Sequence, residues 1–261
     1  MHVVVCVKQV PRTHDVSIDP ETNTLERTGV ESVVNPLDRH AVQAAVNLVD
    51  EVGGKVTALS MGPPQAEAAV REAMALGCSR GILLSDRAFA GADTWATSYT
   101  LAAAVRRLGD VGAVLCGKQA TDGDTGQVGP ELAAHLGWQQ AAYVRGITDT
   151  SDGVLTVRCQ ADGAVEIWRV RLPAVLTVLK DLVEPGLPSL VDRMRARRAD
   201  VEVWTADDLD AEPTSLGLDG SPTRVQRVYS PPRGGEGKTW TGPPDETVPK
   251  LVDALDDEGL I

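Results

Sequence analysis

Short apolar runs alternate with amphipathic stretches through the first half of the chain, and that alternation leaves few folds open. The runs at 3–8, 55–60, 81–85 and 112–116 each have the length of a buried strand, while 38–51, 64–77 and 94–108 carry apolar residues at helical spacing. Strands separated by helices of this size build βαβ units, whose crossovers make the strands parallel and cover both faces of the sheet. A Pro- and Asp-containing excursion occupies 11–33, and a further helix is expected at 127–137. Beyond it the pattern changes to strand-like runs at 142–148, 153–160 and 164–171, punctuated by Ser151-Asp152-Gly153 and Asp162-Gly163, which predicts an antiparallel extension. A last buried strand is expected at 174–179. The fold class is therefore α/β: a doubly wound, mostly parallel sheet with an antiparallel extension.

The stretch that most invites chemistry is Cys116-Gly117-Lys118-Gln119-Ala120-Thr121-Asp122-Gly123-Asp124-Thr125-Gly126-Gln127-Val128-Gly129-Pro130, which joins a strand to a helix. Open α/β sheets bind ligands at the carboxyl ends of their strands, and the N–H groups of the following helix start can receive phosphate oxygens. Glycines at 117, 123, 126 and 129 would let the backbone approach a ligand closely. The same residues also make an ordinary tight turn, with Asp124 or Thr125 as N-cap and Asp122 as a second turn-former. The residues alone leave both readings open, because the stretch matches neither G-x-G-x-x-G nor the Walker pattern. Asp122 and Asp124 suit ribose hydroxyls, a helix cap or the loop's own N–H groups better than a phosphate.

Composition narrows the partner class. A chain of 261 residues can build one large domain, or a main domain with an arm. The net charge of -12 argues against nucleic acid as main partner, since phosphate contacts need clustered Lys and Arg. The basic cluster Arg193, Arg195, Arg197 and Arg198 reads equally as a solvated helix face or a docking patch. Cys6, Cys78, Cys116 and Cys159 are scattered without a C-x-x-C pair, so they are expected buried and reduced in a cytoplasmic protein. The first apolar run is broken by Lys8 and Pro11, too soon for a signal-peptide core, and no later run approaches membrane-span length, so no direct membrane insertion is expected. There is no G-x-S-x-G or H-E-x-x-H, and His2, His14, His40 and His135 are unclustered; they are expected to be surface or capping residues, with no metal and no catalytic side chain. Any chemistry would belong to a bound cofactor.

The loop Gly117-Lys118-Gln119-Ala120 through Asp122-Gly123-Asp124-Thr125 to Gln127-Val128-Gly129-Pro130 is similar to the nucleotide loop of the β subunit of electron transfer flavoproteins. Further blocks resemble the same family in the same order. They are Val3 to Pro11, Val34-Asn35-Pro36-Leu37-Asp38, Ala58 to Pro63, Ala75 to Gly81, Leu172 to Val178, and the segment from Glu184-Pro185 to Met194-Arg195-Ala196. The resemblance runs from residue 1 to about 205. It implies an adenine-nucleotide alpha-hydrolase-like sheet, electron transfer between dehydrogenases and a quinone- or ferredoxin-linked acceptor, and a heterodimer with an α subunit.

Two kinds of β subunit occur in this family, one carrying AMP and one, in the electron-bifurcating branch, carrying a second FAD whose adenosine uses the same pocket. The loop ending Val128-Gly129-Pro130 and the upstream Gly91-Ala92-Asp93-Thr94-Trp95-Ala96-Thr97-Ser98 resemble the second kind, so FAD is expected, with AMP as the alternative and NADH as a further partner of the FAD type. Asp93 reads as an N-cap, and Thr94, Thr97 and the first-turn N–H groups as donors to a pyrophosphate; an ordinary capped helix start reads the same way. Cys159 after Arg158, and Gly186-Leu187 after Glu184-Pro185, depart from the family's usual residues.

The resemblance assigns residues as follows. Asn35, Asp38, Met61 and Gly117, Lys118, Gln119, Asp122, Gly123, Asp124, Thr125, Gly126, Gln127, Val128 and Gly129 surround the nucleotide, with Thr125 to Gly129 at the phosphates; Asp93, Thr94 and Thr97 join them for FAD. Leu190 aligns with the leucine that the family presents to a partner dehydrogenase or quinone oxidoreductase, although Leu187 and Leu190 could equally pin their loop to the core.

From about 206 the chain is rich in Asp, Pro, Gly and Thr, and only 245–257 returns to an amphipathic pattern, with Val248, Leu251, Val252 and Leu255 on one stripe. Residues 1–205 are therefore expected to form the nucleotide-binding domain and 206–261 an extended C-terminal arm packing on the α subunit, or else an acidic tail. A stress-type sensor module that binds ATP or AMP shares the architecture but should be shorter and lack both the arm and the Leu172-Pro173-Ala174 strand. An adenylyl-transfer enzyme would need a Ser-Gly-Gly pyrophosphatase loop, and none is present.

Overall fold

The computed structural model describes residues 1–12, 32–226 and 237–261. It opens with β1 (His2–Cys6) and a small antiparallel pair, β2 (Gln9–Pro11) with β3 (Ser32–Val34). Helices and strands then alternate as α1 (Pro36–Val52), β4 (Lys55–Met61), α2 (Glu67–Ala75), β5 (Arg80–Leu84), α3 (Thr94–Leu108), β6 (Ala113–Gly117) and α4 (Val128–Leu136). The long β7 (Gln139–Ser151), β8 (Val154–Ala161) and β9 (Ala164–Arg171) follow, and β10 (Ala174–Val178) re-enters the sheet. The series ends with α5 (Leu190–Arg198), β11 (Val201–Trp204) and α6 (Pro244–Asp257). Most of the expected excursion falls at 13–31, outside the described residues, as does His14.

One sheet runs in the order β11-β5-β4-β1-β6-β10-β7-β8-β9. Every pairing from β11 to β7 is parallel, and β7-β8-β9 is the antiparallel extension that the turn signals imply. The chain builds outward from β1 through β4 and β5, then crosses back to lay β6 on the other side of β1. Strand order therefore reverses between β1 and β6. In an open α/β sheet the crevice outside the carboxyl ends of two such strands is the ligand position.

Alternation within β1 shows why it sits centrally. Val3, Val5 and the following Val7 share a core cluster with Ala41, Val42 and Ala45 of α1 and Val70 and Met74 of α2. Val4 faces the opposite cluster, with Leu101 and Val105 of α3 and Leu132 of α4. Burying one such aliphatic side chain contributes roughly 1.5–3 kcal/mol, so a strand apolar on both faces is held at the middle of a three-layer sandwich. On the α4 side, a Cβ at Gly129 would lie 2.3 Å from Thr177 Cγ2; glycine is what lets the first turn of α4 lie against β10.

Three features depart from sequence expectation. β11 adds a parallel edge strand beside β5, which the weak alternation of Val201-Glu202-Val203-Trp204 did not signal, since only Trp204 is buried. Its packing includes a bidentate Arg80–Glu202 pair and the guanidinium of Arg107 over the Trp204 ring at 4.7 Å. His2 is buried and hydrogen-bonded through Nε2 to Thr57 Oγ1 at 2.9 Å, so it is neither a surface nor a capping residue.

The third departure is the end of the main domain. The compact unit continues to Gln226 rather than ending at 205. Leu209 and Leu216 are buried, and the Ala206 N–H donates to Asp86 Oδ2 at 3.0 Å. A few anchoring leucines thus hold a segment whose Asp, Pro and Gly content resembles a linker. In the separate unit that follows, α6 carries the expected apolar stripe, and none of its residues is buried. Among the described residues no helix is long and apolar enough to cross a membrane.

Candidate functional site

The Asn35-Pro36 step starts α1 with a proline at its first position, where a missing N–H costs nothing. Asn35 makes no side-chain cap to that helix. Its amide instead donates to Asp38 Oδ1 and to the Gln119 carbonyl, both at 2.9 Å, and its Oδ1 accepts from the Thr121 N–H at 3.2 Å. Asp38 completes the knot. Its Oδ2 accepts from the Lys8 N–H at 2.8 Å and its Oδ1 from the Gly117 N–H at 3.2 Å. Two adjacent side chains thereby tie the chain just past β1, the end of β6 and the loop after β6 into one unit. A Cβ at Gly117 would stand 2.4 Å from Asp38 Oδ1 and 2.8 Å from the Leu37 backbone, so only glycine fits there.

Burial dominates the Asp38 carboxyl and pushes its pKa up to about 7, against the pull of the Asn35 amide and the Lys8 and Gly117 N–H groups. Both Asn35 and Asp38 are enclosed, with their polar atoms engaged by the chain itself. Their role in this structure is to hold the loop in place.

The loop lies open above this knot. Asp122 forms a 2.7 Å ion pair with Lys8 Nζ, which links the β1 side of the crevice to the β6 side. Asp124 takes a positive φ of 55°, donates its N–H to the Ala120 carbonyl, and accepts a short hydrogen bond from the Gln119 amide. Gly126 also has positive φ, and no atom crowds a Cβ position at Gly123. Lys118 Nζ sits 5.3 Å from the Tyr143 ring centroid, a cation–π distance. Thr125 and Gln127 are exposed.

Two helix starts meet beside the loop. α4 has no side-chain cap, so the first-turn N–H groups at Val128 and Gly129 are not claimed by one, and they carry the positive end of the helix dipole. α3 is capped by Asp93, whose Oδ1 accepts from the Ala96 N–H at 3.1 Å and whose Oδ2 accepts from Thr223 Oγ1 at 2.8 Å. Thr94 Oγ1 links the two starts through Glu131 Oε1 at 3.1 Å and Gln127 Oε1 at 3.3 Å. Thr97 is half-buried one turn further on. Below, Met61, Cys6 and Val128 are each half-buried against the core cluster on the α3–α4 face of the sheet, giving the crevice an apolar floor.

The structure thus brings Asn35, Asp38, Met61, the 117–129 loop and the Asp93–Thr97 turn to one end of the sheet. Lys8 and Cys6, which were not singled out from the sequence, belong to the same place; the signal was their position at the end of the first strand. Leu190 lies elsewhere. It begins α5 after the Ser189 cap and is 73% exposed, with Leu187 and Val191 exposed nearby. That exposure is not what a core-pinning role requires.

A cleft of about 690 Å³ opens at the opposite, amino end of the sheet between Met1, Lys55, Arg106, Asp110 and Trp138. It adjoins the C-terminus of α3, where the helix dipole is negative, and no helix start among its lining residues offers N–H groups. A phosphate-bearing ligand is better served at the carboxyl end.

Residues 22–209 match the family described as "Electron transfer flavoprotein domain". Across its full length the chain is 44% identical to the whole of "Electron transfer flavoprotein subunit beta" of Thermoanaerobacterium thermosaccharolyticum. It is 43% identical to "Protein FixA" of Azorhizobium caulinodans over 98% of each chain. It is also 43% identical to "Caffeyl-CoA reductase-Etf complex subunit CarD" of Acetobacterium woodii over the full length of both.

The Asp38 knot generates a pH test. With a folded pKa near 7 against 3.8 ordinarily, the native state keeps a proton that the unfolded chain has released between those values. The resulting stabilisation is complete below about pH 4 and is lost as pH rises through about 7, at no more than ~1.4 kcal/mol per pH unit. Urea unfolding between pH 5 and 7 should show wild type losing stability relative to Asp38→Asn, which carries no such proton and is itself weakened by about 1–3 kcal/mol because its NH2 must face a donor. Parallel pH slopes for the two proteins would contradict this.

Proposed function

The chain belongs to the electron transfer flavoprotein family, and from that premise we propose that its crevice between β1 and β6 holds the adenosine and diphosphate of an FAD, within a heterodimer formed with an α subunit. The observation that carries this reading is the uncapped start of α4 beside a glycine-rich loop at the switch point, joined through Thr94 to a second helix start. Two neighbouring helix starts suit two linked phosphates. Met61, Cys6 and Val128 supply an apolar floor for a base, and Asp122 and Asp124 supply acceptors for hydroxyl groups.

When bound, the flavin supplies the redox chemistry, taking electrons from a reduced donor and passing them on. This chain's residues bind and orient. The Asn35–Asp38 knot fixes the loop, the Val128 and Gly129 N–H groups receive phosphate oxygens, and Lys8 neutralises Asp122 beside that negative charge. Electron donors of this reading are a partner dehydrogenase or NADH, with a quinone- or ferredoxin-linked acceptor, and the place of work is the cytoplasm. A relative named as part of a reductase complex supports a protein redox partner of this kind.

A second reading has its own observation. Asp93 already caps α3 with both carboxylate oxygens engaged, which leaves the α4 start as the readier phosphate site and suits a single phosphate, as in AMP. Cofactor content separates the two. The heterodimer, denatured after purification and resolved by chromatography, should release two FAD; one FAD with one AMP would contradict the FAD reading and assign this subunit a scaffold role.

The partner surfaces follow from exposure. The unburied apolar stripe of α6 fits the α subunit, and the exposed Leu190 fits a transient redox partner. A chain ending at Gln226 keeps the compact unit and should fail to co-purify with the α subunit, whereas Leu190→Ala should co-purify normally but deliver electrons to the dehydrogenase at least tenfold more slowly. A retained complex in the first case, or unchanged transfer in the second, would remove the corresponding role.

A further inference from the structure

Cys6 and Cys116 are far apart in the chain yet directly opposite one another in the β1–β6 register. Paired residues of adjacent strands project to the same side of the sheet, and both cysteines join the cluster on the α3–α4 face. Neighbouring strands run about 4.8 Å apart, within the roughly 4.4–6.8 Å Cα separation that a disulfide spans. Both thiols are free. Cys116 is buried, whereas Cys6, at the carboxyl end of β1, is half-buried and so the more accessible of the two. The proximity of Cys6, followed by burial, pushes the Cys116 thiol well above its ordinary range. Cys78 and Cys159 are both buried; Cys78 sits in a loop before β5 and Cys159 in β8.

We propose that Cys6 and Cys116 form a redox-active dithiol beneath the crevice, in which Cys6 reacts first and Cys116 resolves. The oxidant class is a low-molecular-weight aliphatic disulfide. Cys6 gives its proton to solvent and its thiolate attacks one sulfur of that disulfide, forming a mixed disulfide and releasing one thiolate, which takes up a proton to leave as a thiol. With the Cys6 thiol consumed, the first cause of the raised Cys116 pKa is gone; Cys116 gives its proton to solvent, its thiolate attacks the Cys6 sulfur and closes the Cys6–Cys116 bridge, and the expelled second thiolate takes up a proton. Two protein thiols are oxidised and one external disulfide is reduced to two thiols.

Position gives the bridge a consequence. The residues immediately after Cys6 and Cys116 are Val7-Lys8 and Gly117-Lys118, the segments that Asp38 ties together. Bridging therefore acts at the base of the loop, and a nucleotide lying on the floor shields Cys6; this shielding rests on the nucleotide reading above.

The test incubates the full-length native protein, with and without saturating FAD, in excess oxidised glutathione, followed by alkylation in denaturant and peptide mass analysis. The expected product without FAD is a single Cys6–Cys116 bridge, reversed by dithiothreitol, with Cys78 and Cys159 fully alkylated. Cys116→Ser should stop at a stable glutathione adduct on Cys6, and Cys6→Ser should acquire neither adduct nor bridge. A lasting Cys6 adduct in wild type with Cys116 still alkylated, or equal reaction at all four cysteines, would overturn the dithiol. With FAD bound, bridging should slow at least tenfold; bridging at an unchanged rate would overturn the nucleotide's placement over Cys6 while leaving the dithiol intact.

Discussion

The buried carboxyl group of Asp38 is the contact on which the rest of the site depends. A carboxyl taken out of water is costly unless donors surround it, and here those donors are the Lys8 N–H, the Gly117 N–H and the Asn35 amide. They come from just past β1, the end of β6 and the start of α1, which are the elements bordering the switch point. The distance from Asp38 Oδ1 to a would-be Cβ at residue 117 then explains the first glycine of the loop by contact, without reference to flexibility. Asn35 extends the same network into the loop through Gln119 and Thr121.

The proposed site must also reconcile an acidic chain with a phosphate-bearing ligand. Net charge is -12, and the site itself contains Asp93, Asp122, Asp124 and Glu131. Each has an assigned partner within the protein: Asp93 holds the α3 start and Thr223, Asp122 pairs with Lys8, Asp124 takes the Gln119 amide, and Glu131 takes Thr94. In the proposed reading, attraction for phosphate falls to oriented backbone N–H groups and to local lysines, whose effect over a few ångströms outweighs distant surface charge screened by salt.

Much of the architecture was legible because it is periodic. The alternation of strands and helices, the antiparallel turn signals and the glycine loop all report local chemistry, and each appears within a few residues of its expected place. What was not legible depends on strand order. Nothing local says that β6 lies beside β1, so the opposition of Cys6 and Cys116, the bridging role of Asp38 and the Lys8–Asp122 pair could not be read from spacing. Residues 206–226 resembled an arm because their few apolar anchors, Leu209 and Leu216, are diluted by Asp, Pro and Gly. His2 reads from the sequence as a surface or capping residue because its partner, Thr57, stands on the neighbouring strand.

The most direct test of the account is an experimental structure of this chain bound to its α subunit with cofactors retained. The account predicts nucleotide density between the Cys6–Met61 floor and the 117–129 loop, with phosphate oxygens at the Val128 and Gly129 N–H groups and the Asn35–Asp38 knot unchanged. Nucleotide density at the amino-end cleft beside Lys55 and Arg106, or a loop released from Asn35 and Asp38, would contradict it.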